Sequence, residues 1–551
     1  MKDDVFTFLV GGKAGEGVKK AANVAAQVFT GRGRHIFQMD DYQSLIKGGH
    51  NFSVVSTATR KILSHYLEAD LVVALDRQSY DLHSPHRSGN GIMVFNLDTT
   101  PEGRGLGVPF TREAKKYINH ELLLGVGAAA VLAAAVGMAR EDLQKLITAE
   151  YPRGIESNLA YAAAIYQIVK SEIGGRFPLR KGERKNPILY GNEAVALGAM
   201  AGGLDLYFAY PMTPVSNLLH YLAGRGRELG VITVHPENEI GVANMAIGAA
   251  FAGARVMAGS SGGGFALMEE AFSLAGMTEA PVLFNLGSRS GPSTGVPTGT
   301  EQGDLNFALY QGHGEFPRLV ASPADLEEAF YLTAELLDLV WRFQTPGILL
   351  TEKHLSESAM TVELNLEAVK EPEPLRHGQG PYRRYLDTPS GVSPLLFPPS
   401  PELIKWSSYE HDELGIVTEE AEIIARMHEK RNRKGPAIAE YLRDRKTVNV
   451  YGSAGPVIFT YGSTTMSVLE SLSAGEIEAT VVQPIYLEPL PVWELQRYLG
   501  RPAIVVEQSC AGQFAALLRE KSGIEARAVI KKYDGRPFHP RELAARIKEV
   551  M

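Results

Sequence analysis

The chain has 551 residues, 45% of them hydrophobic and 21% charged, with a formal net charge of −8. That length exceeds what one core fills and predicts three or four domains of a globular protein. The acidic balance and the lack of a Lys/Arg stripe argue against nucleic-acid binding, and the single cysteine, Cys510, excludes a disulfide or a Cys-ligated iron–sulfur cluster held by this chain alone.

Met1-Lys-Asp-Asp-Val5 lacks the layout of a signal peptide. Val5 to Val10 reads as a buried strand, followed by Gly11-Gly-Lys-Ala-Gly-Glu-Gly17 and an Ala/Val-rich helix from Val18 to Phe29. Strand, glycine-rich turn and helix together let backbone N–H groups approach an anion. The glycines at 11, 12, 15 and 17 depart from the dinucleotide fingerprint, and a plain tight turn explains them equally well. A strand from Ala69 to Leu75 and a helix from Asn119 onward complete a first domain, 1–174. The apolar run from Leu122 to Met138 is marginally short for a membrane span and reads as a buried helix, so a cytoplasmic protein without membrane contact is expected.

Residues 175–186 are basic and polar and read as a linker. In 187–358, short apolar runs (Leu204–Ala209, Val231–Val234, Arg255–Ala258, Val282–Leu286, Arg318–Ala321, Gly347–Leu350) alternate with Ala-rich helical stretches. That alternation predicts an α/β domain with a doubly wound parallel sheet. Prolines between Glu371 and Pro401 indicate an extended connector, 359–445, and the charged helix from Glu419 to Arg433 reads as a solvated face. A last α/β domain, 446–551, carries strands at Val457–Ser463, Ala479–Val482 and Ala503–Val506. Cys510 follows the last of these and reads as a small residue in a strand-to-helix turn.

Two segments carry the chemistry. Tyr210-Pro-Met-Thr-Pro214 closes a strand with a stiff turn that presents a Thr hydroxyl, and His235-Pro-Glu-Asn-Glu-Ile240 places two carboxylates where the next strand gives way to a helix. Ligands of open α/β sheets bind outside the carboxyl ends of the strands. Glu237 and Glu239 either favour a helix N-terminus through its macrodipole or hydrogen-bond a cofactor ring, and position alone leaves both open. Arg289 suits a planar anion such as a carboxylate, or else makes a surface ion pair. His50 and His235 read as structural and His313 as polar lining, and nothing at metal-ligand spacing suggests zinc.

Tyr210-Pro-Met-Thr-Pro214 resembles the YPITP motif of the alpha subunit of thiamine-dependent 2-oxoacid:ferredoxin oxidoreductases. Gly191-Asn-Glu-Ala-Val-Ala-Leu-Gly198, Gly291-Pro-Ser-Thr-Gly-Val-Pro-Thr298, Glu301-Gln-Gly-Asp304, Glu410-His-Asp-Glu413 and Lys532-Tyr-Asp-Gly-Arg-Pro-Phe538 resemble the same family in the same order. Gly11 to Gly17 and Tyr42-Gln-Ser-Leu-Ile-Lys-Gly-Gly-His50 resemble its gamma subunit, so the resemblance implies a gamma domain fused ahead of alpha. It further implies a thiamine pyrimidine-binding domain at 187–358 and a transketolase C-terminal-like domain at 446–551.

The resemblance assigns the pyrimidine-facing carboxylate to Glu239, with Tyr210 and Pro211 beside the cofactor, and the 2-oxoacid carboxylate to Thr213 and Arg289. Ser288-Arg-Ser290 departs from the family's Gln-Arg-Gly, which leaves substrate choice open. Gly12, Gly15, Gly17 and Lys47 are the candidates for coenzyme A. The chain lacks the GDG…NN pattern that holds Mg²⁺ and diphosphate. The resemblance therefore implies a beta subunit supplying the Mg²⁺–diphosphate site and a [4Fe–4S] cluster, ferredoxin as electron acceptor, and a dimer of heterodimers. 2-Oxoglutarate is the favoured substrate, ahead of pyruvate and branched-chain 2-oxoacids. The competing readings are a nicotinamide-dependent dehydrogenase built on Gly11 to Gly17 and a non-catalytic scaffold.

Overall fold

Three sheets organise the chain in the computed structural model, which describes residues 4–43, 49–118, 122–369 and 373–551. The first has eight strands in the order Leu106–Val108, Arg87–Asn96, Ala69–Ala74, Phe6–Lys13, His50–Ala58, His35–Asp41, Ala359–Thr361, Ile188–Tyr190. It is mixed: Phe6–Lys13 runs parallel to Ala69–Ala74 but antiparallel to His50–Ala58. The helix Val18–Thr30 covers it together with Leu124–Ala135, all twelve residues of which are buried. That explains an apolar run with no polar face: the helix is wrapped on every side rather than amphipathic.

The second sheet has seven strands in the order Tyr486–Glu488, Leu319–Ala321, Gly347–Glu352, Val282–Ser288, Val256–Ser261, Leu206–Ala209, Ile232–Val234. All pairs are parallel except the one made by Tyr486–Glu488. Val256–Ser261 and Val282–Ser288 are buried along their whole length, as strands covered on both faces must be. The third sheet orders Val448–Tyr451, Thr480–Pro484, Val457–Phe459, Ala503–Glu507, Ala526–Lys531.

The sheets cross the segment boundaries drawn from sequence. Ile188–Tyr190 and Ala359–Thr361 extend the first sheet, and Tyr486–Glu488 extends the second. Residues 175–186 pack back onto the first domain, where the Gly182 N–H donates to the Arg32 carbonyl at 2.9 Å. From Val362 to Glu420 the described residues form irregular chain apart from a 3₁₀ turn at Leu366–Ala368.

In the helices Ala421–Asn432 and Lys434–Arg443 the expected solvated face is present at Glu422, Arg426 and Glu429, which are exposed, but the basic side chains beside it differ. Lys430, Arg431 and Lys434 are buried, not solvated. Lys430 and Lys434 reach the buried carboxylate of Glu279 at 2.8 and 2.5 Å, and Lys434 also donates to the Gln344 carbonyl at 2.6 Å. Charges at helical spacing look the same in sequence whether their partner is water or a distant buried acid. Among the described residues no helix is long and apolar enough to cross a membrane.

Candidate active site

The carboxyl ends of Leu206–Ala209, Val256–Ser261, Val282–Ser288 and Gly347–Glu352 lie side by side, with Ala209 opposite Gly259, Ser261 opposite Gly287 and Ser288 opposite Glu352. Onto this edge the two segments read from sequence converge. The Tyr210 ring meets His235 edge-on at 5.5 Å between centroids.

The structure separates the two carboxylates. Glu237 is exposed, whereas Glu239 is 3% exposed and is the first residue of the helix Glu239–Phe251. Asn238 caps that helix, its Oδ1 accepting the Gly241 N–H at 3.0 Å. Glu239 Oε1 is buried and has no hydrogen-bond partner among the described residues, and the hydroxyls of Ser260 and Ser261 are in the same condition. A Cβ on Gly264 would lie 2.5 Å from Glu239 Oε1 and 2.1 Å from Ser260 Oγ, so a side chain there would close the space beside the carboxylate. Burying unpaired polar oxygens costs free energy, about 1–3 kcal/mol each by mutational measures. A helix macrodipole explains a carboxylate at an N-terminus but not one that is buried and unpartnered. The arrangement fits a ligand ring that presents N–H donors to Glu239, and an aminopyrimidine is such a ring.

Thr213 and Arg289 come together: Arg289 Nη1 donates to the Thr213 carbonyl at 2.9 Å. Burial lowers the pKa of Arg289, with the Asp304 and Tyr42 charges acting the other way, yet a guanidinium stays charged at neutral pH. Asp304 accepts the Ser288 hydroxyl at 2.9 Å, and burial pushes its carboxyl above the usual range. Asn192 donates to the Pro214 carbonyl at 2.8 Å and fixes the turn from below.

Sequence reasoning gave no role to Tyr42, Glu357, Ser260, Ser261 or Gly264. The Tyr42 hydroxyl, from the first domain, donates to the Glu357 carboxylate at 2.9 Å, and its side chain lies beside Thr213. Burial, reinforced by the Glu357 charge, raises its pKa. A small cavity beside this contact is lined by Asp41, Thr298, Thr300, Lys353, Glu357 and Gly535 and joins all three parts of the chain. The C-terminal part is locked to it where the Thr300 N–H donates to the Gly535 carbonyl at 2.9 Å. The run Ser260-Ser-Gly-Gly-Gly264 was the available signal for the pocket floor; the approach of Tyr42 to Thr213 spans too much sequence to be read in advance.

The glycine loop is a tighter structure than an open phosphate cradle. A Cβ on Gly12 would meet Glu16 Oε2 at 2.7 Å, and Gly17 packs on the backbone of Gly125. The Glu16 carboxylate accepts the Lys13 N–H at 2.7 Å. Gly15, at φ 98°, faces open space. Lys47 lies outside the described residues. Cys510 is exposed in the turn between Ala503–Glu507 and Gln513–Ser522.

The family model described as pyruvate flavodoxin/ferredoxin oxidoreductase, thiamine diphosphate-binding, matches residues 197–430, and that of pyruvate ferredoxin/flavodoxin oxidoreductase matches 7–168. The chain is 28% identical over 616 residues to a 2-oxoacid:ferredoxin oxidoreductase subunit alpha of Sulfolobus sp., covering 99% of this chain and 97% of the relative. It is 30% identical over 366 residues to the ketoisovalerate oxidoreductase subunit VorB of Methanothermobacter thermautotrophicus, covering 65% of this chain and 96% of VorB. Among solved structures, a 2-oxoglutarate:ferredoxin oxidoreductase from Magnetococcus marinus, with 2-oxoglutarate, coenzyme A and succinyl-CoA bound, superposes with a TM-score of 0.90 at 27% identity, covering 100% of both chains.

Proposed function

The chain belongs to the 2-oxoacid:ferredoxin oxidoreductases, as an alpha subunit, and on that premise we propose that it catalyses, with a beta subunit, the CoA-dependent oxidative decarboxylation of 2-oxoglutarate. The products are succinyl-CoA and CO₂, with two electrons passed to ferredoxin. The reading assigns the gamma-type function to residues 1–174, pyrimidine binding to 187–358 and the transketolase-like C-terminal role to 446–551. The carrying observation is the buried, unpartnered carboxylate oxygen of Glu239 at the carboxyl end of a parallel sheet.

Bound thiamine diphosphate supplies a carbanion and a sink for the electrons released on decarboxylation. This chain's residues place and polarise. Glu239 holds a proton-accepting oxygen against the pyrimidine, in a space from which Gly264, Ser260 and the capped helix exclude bulk water. A shielded carboxylate shifts protons on its ring partner far more effectively than an exposed one. Arg289 turns its guanidinium toward the Thr213 turn, where a 2-oxoacid carboxylate gains charge-assisted hydrogen bonds from Arg289 and the Thr213 hydroxyl. Tyr210 and Pro211 form the wall beside His235. The diphosphate, Mg²⁺ and [4Fe–4S] are assigned to the beta subunit, in a dimer of heterodimers, since this chain has neither a GDG…NN pattern nor more than one cysteine. Gly15 and Lys47 are retained as contacts for coenzyme A, with Gly12 and Gly17 shaping the turn.

The substrate rests on the whole-length likeness to the Magnetococcus marinus enzyme. VorB, whose name specifies ketoisovalerate, supports a branched-chain 2-oxoacid as the second reading. Purified chain, alone and with its beta partner, is to be assayed anaerobically for CoA-dependent reduction of a low-potential dye with 2-oxoglutarate, pyruvate and 2-oxoisovalerate. Activity with 2-oxoglutarate is expected only with the partner, thiamine diphosphate and Mg²⁺. Turnover by the chain alone, or preference for 2-oxoisovalerate, would overturn the corresponding part.

A further inference from the structure

Arg289 stands between two serines, and one short run holds both of them. The Ser288 hydroxyl donates to Asp304 Oδ2 at 2.9 Å, and the Ser290 hydroxyl donates to Glu301 Oε2 at 2.6 Å. Both serines are buried. The backbone of Ser290 is fixed as well: its N–H donates to the Gly299 carbonyl at 3.2 Å, and its carbonyl accepts the Val296 N–H at 2.9 Å. Arg289 itself makes no ion pair among the described residues, and its Nη1 donates to the Thr213 carbonyl. Ser288 and Ser290 are also the two positions at which this run departs from Gln-Arg-Gly.

The run Glu301-Gln-Gly-Asp304 is in turn anchored by the last part of the chain. The buried Gln302 donates its N–H to the Gln508 carbonyl at 2.6 Å, and its Oε1 accepts the Gln508 N–H and the Thr464 hydroxyl, each at 2.9 Å. Its Nε2 donates to the Tyr461 carbonyl at 3.0 Å, and the Gly303 carbonyl accepts from Gln513 at 2.7 Å. Two glycines make room for the assembly. A Cβ on Gly262 would lie 2.8 Å from Asp304 Oδ2, and one on Gly287 would lie 2.5 Å from the Val215 side chain and 3.0 Å from that of Pro214. Asp304 therefore closes against the run Ser260–Gly264 that floors the Glu239 pocket, and the strand end carrying Arg289 packs against the Thr213–Pro214 turn.

In extended chain successive side chains point to opposite faces, so acids that grip Ser288 and Ser290 on one face leave Arg289 standing out from the other. They hold the arginine by its neighbours and not by its own charge. A carboxylate paired with the guanidinium would compete with substrate for it; one bonded to the adjacent hydroxyl fixes the backbone and spends none of the guanidinium N–H groups. An arginine held in this way has already lost on folding the freedom that substrate binding would otherwise remove. We propose that Ser288, Ser290, Glu301 and Asp304 are positioning residues that set Arg289 for the 2-oxoacid carboxylate, in a bracket tied through Gln302 to the last domain. The proposal rests on the function assigned above, since it needs a 2-oxoacid carboxylate at Arg289.

The test uses the complex reconstituted with its beta subunit and the 2-oxoacid that the wild type turns over best. Ser288→Ala combined with Ser290→Ala removes one oxygen atom from each side chain. KM for the 2-oxoacid should rise roughly 10-fold, with kcat within about two-fold and KM for coenzyme A unchanged. In an Arg289→Lys background the same pair should raise KM by less than about two-fold, because residues that act through one another are not additive. Glu301→Ala, at the half-buried arm, should reproduce part of the rise, and Glu301→Gln, which keeps an acceptor, should restore the wild-type value. An unchanged KM in the serine pair would overturn the bracket. So would an equal rise in both backgrounds, or a loss confined to kcat, which marks a structural strut. If the serine pair does not assemble, a wild-type KM in Glu301→Ala overturns the proposal by itself. A wild-type complex that turns over no 2-oxoacid would instead overturn the assigned function, and the bracket with it.

Discussion

At the scale of the residue, the site rests on which polar atoms the chain leaves without partners. Glu239→Gln keeps size and removes charge, and since Oε1 bonds nothing among the described residues, folding should be unaffected. CoA-dependent dye reduction should fall by about 10²–10⁴-fold at an unchanged thermal midpoint. Arg289→Lys keeps the charge but loses the planar fork; KM for the 2-oxoacid should rise roughly 10- to 100-fold with little change in kcat, as measured by initial rates. Glu352, wholly buried, accepts from Gln302 at 2.6 Å, and burial raises its pKa from 4.5 to about 7 against the opposing effect of those hydrogen bonds. The folded state thus holds a proton that the unfolded state has lost between those values, so stability falls as pH rises from 4.5 to about 7. Glu352→Gln should flatten that slope, gaining on the order of 3 kcal/mol above pH 7 in denaturant titrations. The motif residues of this site could be read in advance because chemistry restricts their type. Tyr42, Ser260 and Gly264 could not, because their roles come from what packs against them.

At the scale of the element, strands were the most readable feature, since runs such as Val282–Leu286 are apolar on both faces and only a doubly covered strand accommodates that. The helix Ala421–Asn432 and its successor were not. Their lysines satisfy a carboxylate about 150 residues away: burial pushes the Glu279 carboxyl up, and the Lys430 and Lys434 ammoniums with Arg384 outweigh it and hold it well below its usual range. Glu279→Gln would strand two buried ammoniums, and such losses cost about 3–5 kcal/mol. A clearly lowered thermal midpoint is expected; an unchanged one would show that water already reaches the pair.

At the scale of the whole molecule, the first and last parts are clamped together. Glu470, 1% exposed in its side chain, accepts from Arg60 at 2.7 Å, from the Tyr66 hydroxyl at 2.6 Å and from the Leu63 N–H at 2.9 Å. Glu470→Ala should loosen this junction by roughly 2 kcal/mol, toward the low end for buried pairs because Arg60 can rehydrate. Hydrogen exchange should quicken at 59–67 and 464–475 ahead of the remaining core. The sequence by itself determined the α/β class, the parallel sheet of the middle domain and the family, and through the family resemblance it named Glu239, Thr213 and Arg289 as candidates. Periodicity and side-chain chemistry are local properties and survive in one dimension. Only the tertiary structure decided that Glu239 rather than Glu237 is buried, that the sheets share strands across the segment boundaries, that Tyr42 lies beside Thr213, and that Gln508 and Gln513 anchor the run Glu301–Asp304 beside Arg289. Those outcomes depend on burial and on contacts between distant segments, which the folded chain sets through packing and which no local pattern encodes.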